Sequence, residues 1–305
     1  MTNKTCIIIV GPTAVGKTTL SIDLAKLYHT EIISADSRQC YKELNIGVAK
    51  PSLLQLKAIP HHFINTHSIL EEVNVKSFEK YALATAYSLF EKNDVVVLAG
   101  GTGLYIKAFC EGLDEIPPVD KKILEDINFH YDHFGIEWLQ NELKNHDPEY
   151  SLKGEIKNPH RCIRALSVKL STGKSLYDFH AKKNETRNFD VIKIGLELPR
   201  QQLIENINTR VYQMMTAGLL NETKQLIKYK ALQALQTVGY KELFDFLENR
   251  NTLEDAIENI KINTRKYAKR QMTWFKKDKE TKWFTANCEL DVIKNYIDSK
   301  IMFNK

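Results

Sequence analysis

The residues best able to do chemistry lie near the start of the chain, where Gly11-Pro12-Thr13-Ala14-Val15-Gly16-Lys17-Thr18 satisfies the pattern G-x-x-x-x-G-K-[ST] in full. Glycines at those two positions let the backbone turn tightly, so that successive N–H groups and a helix N-terminus converge on an anion. Lys17 then adds a point charge on the outer phosphates, and the Thr18 hydroxyl is placed to ligate Mg2+ that the phosphates also hold. Residue types and spacing together predict binding of a di- or triphosphate. The flanks agree: Cys6-Ile7-Ile8-Ile9-Val10 reads as a buried parallel strand, and Thr19-Leu20-Ser21-Ile22-Asp23-Leu24-Ala25 as a helix.

A second set of polar groups follows the apolar stretch Glu31-Ile32-Ile33-Ser34, which reads as the next strand and runs into Ala35-Asp36-Ser37-Arg38-Gln39-Cys40-Tyr41. Polar groups at the carboxyl end of a parallel strand open into the ligand crevice. A lone Asp in that place suits a cap or an ion pair as well as a general base. The strand Val95-Val96-Val97-Leu98-Ala99 ends in Gly100-Gly101-Thr102-Gly103, a second glycine turn facing the same crevice. An ordinary phosphoryl-transfer enzyme needs an acid at the end of such a strand to hold Mg2+. None is present there, which counts against plain kinase or ATPase chemistry.

The elements that position these groups can be read coarsely. Ser77 is a plausible N-cap for a helix from Phe78 to Lys92, with Phe78, Tyr81, Ala82, Tyr87 and Phe90 as its apolar face. From Pro117 strands give way to polar helical segments, Val119 to Phe134, Ile136 to Asn145 and Pro159 to Ser171, punctuated by Pro117-Pro118 and Asp147-Pro148 and closed by Thr172-Gly173. Strand character returns at Val191 to Leu198, whose alternation predicts less burial than in the other strands. The following helix carries the stripe Leu203, Ile207, Val211 and Met214. The last long helix, Leu253 to Phe275, places Ile257, Ile260, Thr264, Tyr267, Gln271 and Trp274 on its packing side. Between Lys261 and Lys277 it has seven basic residues and no acid, and Lys261, Arg265 and Lys269 line up at four-residue spacing. Such a stripe is expected to leave like-charge repulsion that a polyanion would relieve.

The division that follows is an α/β core of P-loop NTPase-like type, a parallel sheet with helices on both faces, interrupted by an all-helical domain. The core takes residues 1–116 and 190–305, and the helical insertion residues 117–189. Composition is consistent: 305 residues, 43% hydrophobic and 27% charged, suit a globular protein with a sizeable core, and a net charge of +5 says little by itself about nucleic acid. No run approaches the length of a membrane span, and no secretory leader is visible, so a cytoplasmic protein with no membrane partner is expected. The five cysteines are odd in number and lack a C-x-x-C pair, which argues against disulfides and a cysteine zinc site. His61-His62 and the pair His130 and His133 lack a nearby third ligand, so neither is expected to hold a metal. Trp138, Trp274 and Trp283 are expected in the core.

Taken in order, the motifs resemble those of the tRNA dimethylallyltransferases, also called tRNA isopentenyltransferases, of the bacterial type. The phosphate loop, Asp36-Ser37-Arg38-Gln39 with Tyr41, and Asn45-Ile46-Gly47 with Ala49-Lys50-Pro51 match the family pattern. So do Pro60-His61-His62, Gly100 to Tyr105, Asn158-Pro159 with Arg161 and Arg164, Arg210 with Gly218-Leu219, Gly239-Tyr240, and Tyr267 to Phe275. Asn65 and Lys241 depart from it, standing where Asp and Arg are common, and the zinc finger of eukaryotic members is missing. The resemblance implies transfer of a dimethylallyl group from dimethylallyl diphosphate to the exocyclic amine of the adenosine 3′ of a tRNA anticodon, by a monomer using Mg2+. It implies catalytic roles for Asp36 as base, and for Thr102 and Arg210, with diphosphate held by Gly11 to Thr18. Contacts with tRNA are implied for Asp36, Ser37, Arg38 and Gln39, for His160-Arg161-Cys162-Ile163-Arg164, and for Lys269 and Arg270. An adenylate isopentenyltransferase shares the core motifs but has little use for a helical insertion and a terminal basic helix. A small-molecule kinase would consume ATP, and a purely RNA-binding protein would leave the phosphate loop and Asp36 without a task.

Overall fold

A computed structural model describes residues 4–179 and 185–303. The chain comprises two compact units, Met1–Glu111 with Thr186–Lys305, and Gly112–Glu185.

The first unit is built on a six-stranded sheet in which every pair of neighbours is parallel: β1 (Thr5–Val10), β2 (Ile32–Ala35), β3 (His61–His62), β4 (Val95–Gly100), β5 (Asp190–Glu197) and β6 (Lys282–Thr285). Their spatial order is β3-β2-β4-β1-β5-β6. β1 lies between β4 and β5, with Ile7 opposite both Val97 and Ile192. Parallel strands buried on both faces need apolar residues at successive positions, and β1 supplies them. Cys6, Ile8 and Val10 enter one core, Ile7 and Ile9 the other. The chain passes from β1 to β2 on one side and reaches β5 on the other, so the carboxyl end of β1 is the point where the winding reverses. A ligand crevice opens at such a point.

Helices cover both faces, as expected for this class. α1 (Lys17–Leu27) and the last helix pack on the side of Ile7 and Ile9. The other side receives the helices of residues 75–90 and 103–111, those within residues 200–275, and the larger core, in which Phe63, Phe78 and Tyr105 are in mutual ring contact. In chain order these helices are α2 (Leu53–Ala58), α3 (Val75–Phe90), α4 (Gly103–Glu111), then α5 (Lys121–His146), α6 (Pro148–Lys153) and α7 (Pro159–Thr172) of the second unit. α8 (Arg200–Thr216), α9 (Leu219–Leu226), α10 (Tyr240–Leu247), α11 (Leu253–Phe275) and α12 (Leu290–Phe303) complete the first unit.

Several local expectations need correction. Asn74, not Ser77, caps α3: its Oδ1 accepts the Ser77 N–H at 3.0 Å, while Ser77 Oγ accepts the Asn74 N–H. The helix therefore begins earlier, and Ala86 and Leu89 rather than the exposed Tyr87 take the inner face. β5 is less buried than β1, β2 and β4, as its alternation predicts, while the short edge strands β3 and β6, which the sequence did not reveal, are more exposed still. Trp274 is exposed rather than in the core.

The second unit, residues 112–185, is helical around Ile127, Leu139, Leu143, Cys162 and Leu166. The two long segments expected there run on as α5, but Gly135 breaks the helix with φ 73° and ψ −165°. Asp120, Asp147 and Asn158 each cap the following helix by accepting a first-turn N–H, and Gly173 closes α7 in the left-handed conformation.

Gly100 shows how closely the strand ends approach: a Cβ there would lie 2.1 Å from the Ala35 carbonyl oxygen of β2. Gly100→Ala is therefore expected to destabilise the protein by about 3 kcal/mol or more, measured by denaturant unfolding, since a backbone carbonyl cannot yield as a flexible side chain would. A change under about 1 kcal/mol would show that the two strands separate easily.

Candidate functional site

The phosphate-loop sequence forms the turn between β1 and α1. Gly11 adopts φ 146°, and any Cβ on it would meet the Leu196 carbonyl oxygen at 2.6 Å. Gly16 adopts φ 105°, and Ala14 holds φ 65° although it carries a Cβ, a conformation that costs about 1 kcal/mol. Gly16 caps α1 without any side-chain acceptor, so the first amides of the helix are left for an outside anion. Lys17 Nζ donates to the carbonyls of Gly11 and Pro12 at 3.0 and 2.7 Å. Burial, with the nearby Arg210 charge, brings its pKa down to about 7, against a smaller upward pull from Asp36. Arg210 of α8 donates to Thr13 Oγ1 at 3.3 Å, and burial lowers its pKa as well. Asn206, one turn earlier, donates to the Ala14 carbonyl.

The second glycine turn lies beside it. Thr102 N–H donates to the Ala35 carbonyl and Thr102 Oγ1 accepts the Ser37 N–H, both at 3.1 Å, so the end of β4 fixes the turn after β2. In that turn Asp36 Oδ1 accepts the N–H groups of Arg38 and Gln39 at 2.8 and 3.2 Å. The other carboxylate oxygen accepts no hydrogen bond from the described residues. Gln39 donates through Nε2 to the carbonyls of Val48 and Ala49 and accepts from Ser34 Oγ. Tyr41 is 4% exposed and packs in the core.

One cavity of about 820 Å3 collects Thr13 to Thr18, Asp36, Gln39, Gly100, Gly101 and Arg210. Thr102, Ser37 and Arg38 stand next to it without lining it. Sequence reasoning missed the residue that joins its two turns: Gln271, read only as a packing position, accepts the Thr13 N–H at 2.8 Å and donates to the Gly101 carbonyl at 3.0 Å. It also missed Lys50, whose Nζ donates to the Tyr41 carbonyl and to Asn65 Oδ1, and whose pKa burial brings down to about 8. Asn65 holds a left-handed φ of 56°, a conformation in which Asn is favoured over most residues. His62 pairs with Glu31 at 2.6 Å, and His61, which lines the cavity, bonds the Ile59 carbonyl through Nδ1 at 2.8 Å. Among the described residues no group of three His, Cys, Asp or Glu side chains is arranged to hold a metal.

The remaining residues lie elsewhere. In the second unit His160, Arg161 and Arg164 are exposed on α7, Ile163 is half-buried, and Cys162 is fully buried with Sγ on the Ile156 carbonyl. The Cys162 side chain thus faces the core of its unit. On α11 the expected basic stripe is broken: Lys261 is buried, donating to the Tyr212 hydroxyl and to Glu258. Arg265 pairs with Glu258, and Lys276 with Glu197 over the ring of Trp283. Acids outside the run relieve the repulsion the run would have alone. Lys269 and Arg270 are exposed and have no acidic partner among the described residues.

A model described as IPP transferase matches residues 39–278. The chain is 50% identical over 293 residues to a tRNA dimethylallyltransferase of Christiangramia forsetii, covering 96% of this chain and 97% of that one. The solved full-length tRNA isopentenylpyrophosphate transferase of Bacillus halodurans is similar with a TM-score of 0.72 and 34% identity, over 98% of this chain and 97% of the other. A eukaryotic dimethylallyltransferase, seen in crystallographic snapshots of its action on tRNA, gives a TM-score of 0.77 at 28% identity over 93% of this chain and 74% of its own.

The lowered Lys17 pKa has a sign that can be tested. Above about pH 7 the amine without ligand is mostly neutral, and an anion beside it restores the proton. Inorganic pyrophosphate binding, measured by calorimetry in buffers of different ionisation enthalpy, should therefore take up about one more proton in the wild type than in Lys17→Met at about pH 8. At about pH 6 the difference should vanish. Equal uptake at both pH values would mean that Lys17 is already charged in the empty loop.

Proposed function

The chain belongs to the IPP transferase family, and from that premise we propose that it transfers the dimethylallyl group of dimethylallyl diphosphate to the exocyclic amine of the adenosine 3′ of the anticodon in tRNA. The observation that carries this reading is the meeting of an anion-binding loop and a carboxylate in one cavity, with no acid at the end of β4. That arrangement suits a diphosphate as leaving group better than a phosphoryl group being transferred. The bond that breaks joins the allylic carbon to diphosphate oxygen, and the bond that forms joins that carbon to nitrogen. An aromatic amine is a weak nucleophile because its lone pair is delocalised into the ring, so its proton must leave as the new bond forms.

Asp36 is the base in this proposal. One of its oxygens is anchored on two backbone amides, and the other is left to face the amine. Charge builds on the diphosphate as it departs, and the amides of the loop with Lys17 and Arg210 meet it. Thr102 holds the Asp36–Ser37 turn through its bond to the Ser37 N–H. Mg2+ when bound supplies further positive charge to the leaving diphosphate. The Thr18 hydroxyl, an oxygen donor on the cavity wall, would be the protein group that holds it. The adenine must leave its stack to reach the cavity. Ser37, Arg38 and the backbone around them are assigned to receive it. Gln39 contributes through the wall it holds, since its side-chain amide is already bonded to Val48 and Ala49.

The exposed face of α7 with His160, Arg161 and Arg164, and Lys269 and Arg270 on α11, are assigned to the anticodon stem-loop. Exposed cations of this kind position RNA through phosphates, while base contacts select it. The protein is assigned to the cytoplasm as a monomer; among the described residues no helix is long and apolar enough to cross a membrane.

The experiment is single-turnover transfer by Asp36→Ala. The rate should fall by about two to four orders of magnitude, as expected for loss of a general base, with pyrophosphate affinity near that of the wild type. An unchanged rate with weakened tRNA binding would make Asp36 a binding residue instead.

A further inference from the structure

One wall of the cavity is made by the turn-rich segment from Asn45 to Lys50, in which Ile46, Val48 and Ala49 line the interior. The segment belongs to neither helix nor strand, so something other than a backbone ladder must hold it. Two turn bonds, Ala49 N–H to the Ile46 carbonyl at 3.0 Å and Lys50 N–H to the Asn45 carbonyl at 3.2 Å, shape it, and a carboxylate far along the chain ties it to the rest of the unit. Glu222 of α9 accepts the N–H groups of Asn45 and Ile46 on Oε2, at 3.1 and 2.9 Å. Its Oε1 accepts the Gly47 N–H at 3.0 Å and the Tyr240 hydroxyl at 2.6 Å. Tyr240 is fully buried, and its ring lies against Gly47 so closely that a Cβ on that glycine would come within 2.6 Å of it. Burial, together with the Glu222 charge, holds the phenol well above its ordinary pKa, so the hydroxyl keeps its proton and remains the donor.

The tie does not stop at the wall. Gln39 Nε2 is anchored on the carbonyls of Val48 and Ala49, at 3.2 and 3.1 Å, and Gln39 N–H donates to Asp36 Oδ1 at 3.2 Å. A continuous series of hydrogen bonds thus runs from Glu222, through the wall and Gln39, to the carboxylate of Asp36. We infer that Glu222 is a positioning residue for the transfer reaction: it fixes the Asn45–Ala49 wall and, through Gln39, the orientation of the Asp36 carboxylate. This inference rests on the reading of Asp36 as the base. Displacement of a base by about 1 Å can cost about a hundredfold in rate, so a support at this distance has leverage on catalysis.

Glu222→Gln tests it. The substitution keeps the size of the side chain and replaces one acceptor oxygen by an NH2 group, which cannot accept the N–H and O–H groups that converge there. In folded protein, well below its melting temperature, single-turnover transfer should fall about 10- to 100-fold, while pyrophosphate Kd stays within about twofold because the phosphate loop makes no contact with Glu222. The decisive measurement is the double variant: in an Asp36→Ala background, Glu222→Gln should lower the rate no further, since residues acting as one unit are non-additive. A wild-type rate per folded molecule, or a full loss on top of Asp36→Ala, would overturn the inference and leave Glu222 a stabilising residue only. Tyr240→Phe keeps the ring against Gly47 and removes one donor to the same carboxylate. It should show a smaller loss with the same non-additivity, and it decides the matter by the same criteria if Glu222→Gln does not fold. A wild-type protein that transfers nothing to tRNA would instead remove the functional reading itself, before any variant is compared.

Discussion

Two glycine turns at the carboxyl ends of neighbouring strands must be kept at a fixed spacing, and one buried carboxamide does it. Gln271 accepts from the phosphate loop at Thr13 and donates to the second turn at Gly101. Both bonds are to backbone, so they constrain the paths of the turns and not merely the direction of a side chain. The sheet sets the same limits from below: β1 and β4 run in parallel register up to Ile9 and Ala99, and Gly100 allows β4 to lie against Ala35 of β2. Asp36 and the phosphate loop face one cavity because the strands that carry them are separated by β4 alone.

The electrostatics of the site suits an anionic ligand. Burial lowers the pKa of both Lys17 and Arg210, and the Arg210 charge lowers that of Lys17 further. The α1 N-terminus adds its uncapped amides to the same point. With no acid at the end of β4, Asp36 is the carboxylate that balances Lys17. A diphosphate would satisfy the loop amides and both cations together. The strain of Ala14 and the tight turn at Gly11 are the local costs of pointing the loop amides inward.

Much of this was legible before the structure. Buried parallel strands are nearly continuous apolar runs, so β1, β2 and β4 stand out from the sequence, and the phosphate loop is recognisable from glycine and lysine spacing alone. β3 has two residues and β6 four, each on or next to a sheet edge where alternation is too short to register. The long-range polar ties were invisible for a different reason. Gln271 and Thr13 are 258 residues apart and Glu222 and Gly47 are 175 apart, and a polar residue on a mixed helix face gives no sign of which distant amide it meets. Charge was misread for the same cause: the run from Lys261 to Lys277 contains no acid, yet Glu258 and Glu197 reach three of its cations from outside. Lys261 could have been suspected, since Glu258 lies one turn before it and Ile260 beside it is core.

The central claim is that one cavity carries alkyl transfer to an RNA adenosine. The most direct test is incubation of the protein with labelled dimethylallyl diphosphate and Mg2+, offering unmodified tRNA and AMP in separate reactions. Label should pass to tRNA, appear as isopentenyladenosine after nuclease digestion, and be accompanied by one diphosphate released per group transferred. Label in AMP with none in tRNA would contradict the account, as would diphosphate release without transfer to either acceptor.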